Sequence, residues 1–164
     1  MNNALEAVLF DVDGTLVNSN DAHAHAWVNA FAAFSITVEF ARVRCRIGMG
    51  GDKLMPEVSG LSEDSGLGQQ IAWRRSEIFK TEFLPKIQPF NDAARLVAAV
   101  KHLGLTAVAA SSAKKDELTA LLRIAGADCL MDAATSADDA EESKPDPDII
   151  NAALKCAQVS PAAA

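Results

Sequence analysis

The apolar run AVLF at residues 7–10 stops at two aspartates, Asp11 and Asp13, which are separated by a single residue. A short apolar run that contains Val and Phe and lacks polar alternation is typical of a strand buried on both faces. Gly14 follows and can adopt the backbone conformation that turns the chain out of the strand. The sequence therefore predicts a central strand whose carboxyl end carries two acids.

A helical segment follows this strand. Apolar residues recur at helical spacing and predict a helix to about Phe34, with Ser19 or Asn20 as its N-cap. A glycine-rich stretch, IGMGG, comes next, and a longer amphipathic helix then ends before Pro85. Residues 19–86 are therefore predicted to form an all-helical insert.

Helices and strands alternate regularly after Pro89. The predicted elements are a helix capped by Asn91 with Leu96, Val100 and Leu103 on one stripe, the strand LTAVAA, a helix starting at Ser111-Ser112, the short strand DCLM and the helix DPDIINAALKCA. This order implies right-handed crossovers and a parallel sheet. We therefore predict an α/β fold, in which a Rossmann-like parallel-sheet core of residues 1–18 and 87–164 receives the helical insert 19–86.

Composition excludes several classes of function. With 49% hydrophobic residues in a chain of 164, a sizeable core can form, whereas the net charge of -7 disfavours binding to nucleic acid or to an anionic membrane surface. No stretch approaches the about 18 apolar residues of a membrane span. The three cysteines have no metal-type spacing, and their odd number argues against a disulfide framework. A cytoplasmic protein with no nucleic-acid or membrane partner is expected.

Polar side chains follow three of the predicted core elements. In an open parallel sheet the loops at the carboxyl ends of the strands converge, and ligands bind there. Three sets of side chains are therefore expected to meet: Asp11 with Asp13, Ser111 with Ser112, and Lys144. A calcium loop of the EF-hand type is excluded, because its glycine falls at the sixth loop position and Gly14 is at the fourth.

Three segments, DVDGTL at 11–16, AVAASS at 107–112 and SKPDPD at 143–148, resemble motifs one to three of the haloacid dehalogenase-like (HAD) superfamily. They occur in the family's order through nearly the whole chain. The helical insert resembles the C1 cap of the phosphoglycolate phosphatase and β-phosphoglucomutase branch. The resemblance implies a Mg²⁺-dependent phosphatase that hydrolyses a small phosphorylated metabolite through an aspartyl-phosphate intermediate, with the cap closing over the site to exclude water.

The resemblance also implies a role for each motif residue. Asp11 is the nucleophile, and Asp13 is the general acid and then the base for the hydrolytic water. The Ser111 hydroxyl and the Ser112 amide hold phosphoryl oxygens, and Lys144 adds a fixed positive charge. Mg²⁺ is bound by Asp11, by the backbone carbonyl of Asp13 and by an acid of a fourth motif.

Alternatives to a phosphatase remain at this stage. A sugar phosphomutase of the same branch would use the same two aspartates, and a catalytically silent domain would act by binding alone. A haloacid dehalogenase is disfavoured because it has no use for an acid at Asp13. His23, Arg46 and Lys53 are the candidate cap residues: His23 occupies the place of a hinge histidine in the mutase branch, and the other two flank the glycine-rich cap loop.

The family pattern is not complete in this chain. Asn18 stands where relatives usually have Asp, and no fourth motif follows the last predicted helix before the terminal VSPAAA. Without that motif one metal carboxylate is missing, and the AVLF strand is expected to keep an open edge. We hypothesise that the natural product is longer. The acidic run of Asp138, Asp139, Glu141 and Glu142 is interpreted as a solvated loop.

Overall fold

The computed structural model describes residues 4–164. They divide into two compact units, a core unit with the residues up to Asn18 and Gln88–Ala164, and a helical unit, Ser19–Ile87. In chain order the elements are β1 (Ala7–Phe10), α1 (Asn20–Ala33), α2 (Phe40–Arg44), α3 (Gly51–Ser59), α4 (Gly66–Ile78), α5 (Ala93–His102), β2 (Thr106–Ala110), α6 (Lys115–Ala125), β3 (Ala133–Thr135) and α7 (Asp148–Ala157). A π-helical turn, Phe79–Phe83, continues α4, and short 3₁₀ turns lie at Leu84–Lys86, Ala137–Asp139 and Pro161–Ala163.

The core unit is built on a parallel sheet of strand order β1-β2-β3. Ala7 lies opposite Thr106 in the first ladder, and Val108 lies opposite Ala133 in the second. Every strand is followed by a crossover before the next one, which confirms the predicted α/β class. The sheet is parallel, so the carboxyl ends of all three strands lie along one edge.

Small side chains allow α7 to approach the middle strand closely. Val108 and Ala110 of β2 form a buried cluster with Ile149 and Ala153 of α7. Two of these four residues are alanines, so the helix can lie near the backbone of the sheet while the larger Val and Ile fill the remaining space. β2 is thereby the best-buried strand, and its carboxyl end at Ala110 lies within this cluster.

The third strand differs from the sequence prediction. DCLM at 128–131 forms a turn instead, in which the amides of Leu130 and Met131 donate to the carbonyl of Ala127. The left-handed backbone of Gly126, at φ 66°, ends α6 directly before this turn. Pairing with β2 begins only where the amide of Asp132 donates to Ala107. The strand is therefore displaced by several residues toward the carboxyl end.

Helix α5 buries a different face from the predicted stripe. Ala93, Val97 and Val100 are buried, whereas Leu96 is 54% exposed and Leu103 is 76% exposed. Both stripes have helical spacing, so periodicity alone does not choose between them. The N-cap is Asp92 rather than Asn91, and it has a left-handed backbone with a φ of 64°. Of the predicted stripe, only Val100 faces the core.

Asp132 connects three parts of the core unit. Its carboxylate accepts hydrogen bonds from the Nζ atom of Lys101 on α5 and from the amide of Ala107 on β2. The hydrogen bond from Lys101 and then that from Ala107 lower the pKa of Asp132 from its ordinary 3.8. The ionised carboxylate is therefore the form that stabilises the folded chain.

We expect Asp132→Asn to lower the free energy of unfolding at neutral pH by about 1 kcal/mol, a small value because solvent screens this half-exposed pair. Because the pKa of Asp132 is lower in the folded chain than in the unfolded chain, its ionised carboxylate contributes fully to the free energy of unfolding above pH 3.8. This contribution is lost as pH falls through the lower pKa of the folded chain. The difference between parent and variant should therefore shrink below about pH 4. Urea unfolding across this range measures it, with exposed Asp128→Asn as control; a pH-independent difference would contradict the interpretation.

Strand β1 lies at the outer edge of the sheet. An apolar groove of about 450 Å³ runs beside it, lined by β1, α7 and the end of the chain; its residues are Leu5, Ala7, Val8, Leu9, Ile150, Leu154, Pro161 and Ala164. The amide of Glu6 donates to the carbonyl of Ala163 at 2.8 Å, so the last turn packs beside the start of β1. Within residues 4–164, no helix has the length and apolar character needed to cross a membrane.

Candidate active site

A tight loop at the end of β1 presents Asp11 and Asp13. Gly14 has a φ of 76°, a left-handed conformation that favours glycine, and its amide donates to the carbonyl of Val17 at 2.9 Å. The hydroxyl of Thr15 folds back and donates to Oδ2 of Asp11 at 3.2 Å. The predicted turn after Asp13 is thus present, and it holds one oxygen of Asp11.

Lys144 reaches this loop from the segment between β3 and α7. Its Nζ atom lies 2.6 Å from Oδ1 of Asp11 and also donates to the carbonyl of Ala110 at 3.1 Å. The lysine side chain is 23% exposed, and that of Asp11 is 44% exposed. The ion pair joins residues 133 positions apart in the sequence. Lys144 and Asp11 are therefore brought together, as expected from the sheet topology.

Ser111 follows β2 and is almost completely buried. Its hydroxyl donates to Oδ2 of Asp13 at 3.4 Å and accepts a hydrogen bond from the amide of Ala113 at 3.0 Å. Ser112 is half-buried in the same turn. The predicted helix start at Ser111-Ser112 is wrong, because α6 begins at Lys115. The serine side chain closes a local turn with Ala113, and this turn delays the helix by three residues.

These groups form one small polar cluster at the carboxyl edge of the sheet. It contains two carboxylates, an ammonium group and a hydroxyl, from Asp11, Asp13, Lys144 and Ser111. Lys144 cancels part of the negative charge, so an anionic ligand meets less repulsion here than beside two bare carboxylates. Such a cluster can bind a phosphoryl group and present it to a carboxylate oxygen.

The oxygen atoms of this cluster suit Mg²⁺. This ion prefers oxygen ligands and is commonly bound by one or two carboxylates, with water and substrate phosphate completing its octahedron. Asp11 and Asp13 supply that number of carboxylates. Within the part of the chain that the structure describes, no cluster of three or more His, Cys, Asp or Glu side chains could hold a metal. The two carboxylates of the site fit a cation that keeps several of its waters.

A family model described as a haloacid dehalogenase-like hydrolase matches residues 5–164. The chain belongs to the haloacid dehalogenase-like hydrolase family. It is 36% identical over 155 residues to the protein SUPPRESSOR OF QUENCHING 1, chloroplastic, of Arabidopsis thaliana; this match covers 92% of the chain but only 15% of that protein.

Two further comparisons agree with the family. Validoxylamine A 7'-phosphate phosphatase of Streptomyces hygroscopicus subsp. limoneus is 24% identical, over 97% of this chain and 74% of that protein. A crystal structure of a hydrolase from Pseudomonas syringae superposes with a TM-score of 0.87 at 25% identity, covering 95% of this chain and 71% of that chain. The predicted resemblance to the haloacid dehalogenase-like family is confirmed.

His23, the candidate hinge residue, is packed inside the helical unit of the chain. Its ring stacks on Phe79 with centroids 4.0 Å apart, and its Nδ1 atom faces the guanidinium of Arg75. That guanidinium also lies over the rings of Phe79 and Trp27, at 5.1 and 5.6 Å from their centroids. Arginine is always a donor, so Nδ1 of His23 faces it as the acceptor. These contacts give His23 a role in packing.

Arg46 and Lys53 are the other two candidates in the helical unit. The Nε atom of Arg46 pairs with the carboxylate of Glu57, and its Nη1 atom donates to the carbonyl of Arg42 at 3.1 Å. The hydrogen bond to Glu57 raises the pKa of Arg46 above its ordinary value. Lys53 is half-buried in the first turn of α3. Arg46 is thus engaged in contacts within its own unit.

Sequence reasoning missed two groups that orient the cluster, and it missed the contacts of the acidic run. Thr15 lies within the quoted motif DVDGTL and orients Asp11, and the carbonyl of Ala110 orients Lys144. All four acids of the acidic run are exposed, as predicted, and two of them also accept ordered hydrogen bonds. Ser136 and Asp139 form a reciprocal capping box, and Asp138 accepts a hydrogen bond from the amide of Lys115. The spacing Ser-x-x-Asp is a recognised N-terminal signature and could have revealed the box.

Proposed function

We propose that this chain is a Mg²⁺-dependent phosphatase, which hydrolyses a small phosphorylated metabolite through a phosphoryl group carried on Asp11. The observation that supports this most strongly is the 2.6 Å ion pair between Asp11 and Lys144, beside the contact of Ser111 with Asp13. The Streptomyces relative, whose name is that of a phosphatase, agrees with this reaction class. A cytoplasmic location is part of the same proposal.

The first chemical step uses both aspartates. A carboxylate oxygen of Asp11 attacks phosphorus, and the bond from phosphorus to the leaving oxygen breaks. Asp13 gives its proton to that leaving oxygen, so the metabolite departs as an alcohol. In the second step Asp13 accepts a proton from water as the water oxygen attacks phosphorus. Inorganic phosphate leaves, and the Asp11 carboxylate is restored.

Charge cancellation limits both steps. A carboxylate and a phosphate oxygen at 4 Å repel each other by roughly 4 kcal/mol when the effective dielectric constant is about 20. Lys144 opposes this repulsion with a fixed ammonium group next to Asp11. The side chain of Asp11 and the backbone carbonyl of Asp13 would hold Mg²⁺, which supplies further positive charge to the transferring phosphoryl group. The hydroxyl of Ser111 and the amide of Ser112 would bind its peripheral oxygens.

The name of the Streptomyces relative favours a phosphatase over a sugar phosphomutase. A mutase of the same branch would use the same two aspartates, so the polar cluster does not separate the two reactions. His23, which was predicted as the hinge histidine of the mutase branch, is stacked on Phe79 and engaged with Arg75, and it gives no support to the mutase. We therefore take water as the acceptor of the phosphoryl group.

A direct test is the release of inorganic phosphate from p-nitrophenyl phosphate and a panel of phosphorylated sugars and acids. We expect stoichiometric phosphate release with Mg²⁺ and a fall of about a hundredfold after chelation, since the cation stabilises charge in the transition state. Re-addition of Mg²⁺ should restore the rate. Isomerisation of a sugar phosphate without net phosphate release would favour the mutase, and absence of turnover would favour a binding domain.

A further inference from the structure

The segment between β3 and α7 also contacts the loop that follows β2, called here the phosphate loop (Ser111–Lys115). We infer that Asp138 is a positioning residue for this loop, acting as an N-cap of α6 from outside the helix. The inference rests on the proposed function, because it concerns the placement of the groups that would bind phosphate. It assigns a role to an acid that sequence analysis placed in a solvated loop.

Helix α6 is not capped by the residue at its N-cap position, although Oδ1 of Asp116 in its first turn accepts a hydrogen bond from the amide of Glu117 at 2.9 Å. Its N-cap position is Lys114, and this side chain makes no capping hydrogen bond. The first turn of a helix has amides without an intrahelical partner, and these are usually satisfied by a side-chain oxygen just before the helix. Here Oδ2 of Asp138 accepts the hydrogen bond from the amide of Lys115 at 3.2 Å. The first amide of α6 is thus capped by a residue 23 positions away in the sequence.

Two backbone hydrogen bonds reinforce the same contact. The amide of Ala137 donates to the carbonyl of Ala113 at 2.9 Å, and the amide of Ser111 donates to the carbonyl of Thr135 at 3.0 Å. Hydrogen bonds therefore hold the phosphate loop at Ser111, at Ala113 and at Lys115. Asp138 makes the only one of these three bonds that uses a side chain, so it is the one that mutation can remove selectively.

The turn that carries Asp138 is itself held in shape. Ser136 and Asp139 satisfy each other's backbone amides in a capping box, and the Ser136 hydroxyl donates to Oδ2 of Asp139 at 2.8 Å. The hydrogen bonds from the amide and then the hydroxyl of Ser136 lower the pKa of Asp139. Since Asp139 is ionised above its lowered pKa, the box is intact at neutral pH and keeps Asp138 directed at α6.

The same segment continues to Lys144, six residues beyond Asp138. One stretch of chain therefore fixes the end of the phosphate loop and also delivers the ammonium group to Asp11. Removing the contact at Asp138 leaves the backbone hydrogen bonds at Ser111 and Ala113 in place, so we expect the loosening at the Lys115 end of the phosphate loop, with a small displacement of the phosphate-binding amides before it. Ground-state binding of phosphate is then weakened, while the nucleophile Asp11 is not displaced.

Three variants test this role: Asp138→Ala, Asp138→Asn, which keeps an oxygen acceptor, and Glu141→Ala, which removes an exposed acid of the same run. The readouts are KM and kcat, inorganic phosphate affinity from NMR titration of amides 111–115, and their hydrogen exchange. For Asp138→Ala we expect KM and the phosphate Kd to rise about fivefold, the effect of one lost helix cap, with kcat nearly unchanged. Exchange at Lys115 should also accelerate. Asp138→Asn should recover most of the affinity, and Glu141→Ala should match the parent.

Unchanged phosphate affinity in Asp138→Ala would overturn the inference, whatever the exchange rates show. An equal loss in Glu141→Ala would overturn it too, since the effect would then come from net charge. A parent that binds phosphate but does not release it from esters would refute the proposed function alone, and the titration would still decide the role of Asp138. A parent with no affinity for phosphate would refute both.

Discussion

Asp11→Asn is expected to lower the rate of phosphate release by about 10⁴-fold or more, because it removes the nucleophile of the proposed reaction. An amide oxygen carries no full charge and cannot form the acyl phosphate at a useful rate. Asn has nearly the same volume as Asp, so the loop at the end of β1 should retain its shape. The measurement is the initial rate of phosphate release at saturating substrate and Mg²⁺.

The control for Asp11→Asn must separate chemistry from folding. Asp128→Asn makes the same chemical change at an exposed position between α6 and β3, and it should leave the rate unchanged. Thermal unfolding of Asp11→Asn should remain cooperative, with the midpoint shifted by a few degrees at most, since the lost ion pair with Lys144 is partly exposed. A fully active Asp11→Asn protein would contradict the proposed mechanism.

Lys144→Met should reduce kcat by about 10³-fold, at the upper end of what one electrostatic group contributes in an active site. Methionine keeps much of the apolar stem but removes the ammonium group that lies 2.6 Å from Asp11 and bonds to the carbonyl of Ala110. The Asp11 carboxylate then faces the phosphoryl group without a fixed counter-charge. Lys144→Arg should recover part of the rate, since it restores the charge but not the compact geometry.

Lys155→Met is the matched control for this lysine. Lys155 is exposed on α7, and its loss changes the net charge by the same amount. We expect the activity of Lys155→Met to equal that of the parent. If both lysine variants lost activity equally, long-range attraction of the anionic substrate would explain the loss, and a local role for Lys144 would be excluded. Raising the salt concentration would distinguish these cases, since it screens long-range attraction most.

The main features of the core unit were predictable because they follow from local patterns and a topological rule. An apolar run ending in DVDGT indicated a buried strand with acids at its carboxyl end, and the later alternation of helices and strands indicated a parallel sheet. Parallel strands bring their carboxyl ends to one edge, so the meeting of Asp11, Ser111 and Lys144 could be expected before any contact was known. The family followed from the same motifs.

Other features depended on competition between equivalent local patterns. The sequence offered two helical stripes on α5 and suggested DCLM as the third strand. Packing against β2 selected Val97 with Val100, and pairing with β2 selected the segment Ala133–Thr135 instead of DCLM. Periodicity shows that a helix carries an apolar stripe, but it does not show which of two stripes packs against the sheet. That choice therefore depends on the tertiary structure.

The sequence by itself determined the α/β class, the order of the motifs and the chemical groups that meet at the sheet edge, because each depends on residue type and spacing. Only the tertiary structure decided that His23 packs against Phe79 and Arg75, and that Asp138 caps a helix 23 residues earlier in the chain. Partners so distant in sequence leave no periodic signal. Their pairing is set by which surfaces the packed elements bring within hydrogen-bond distance.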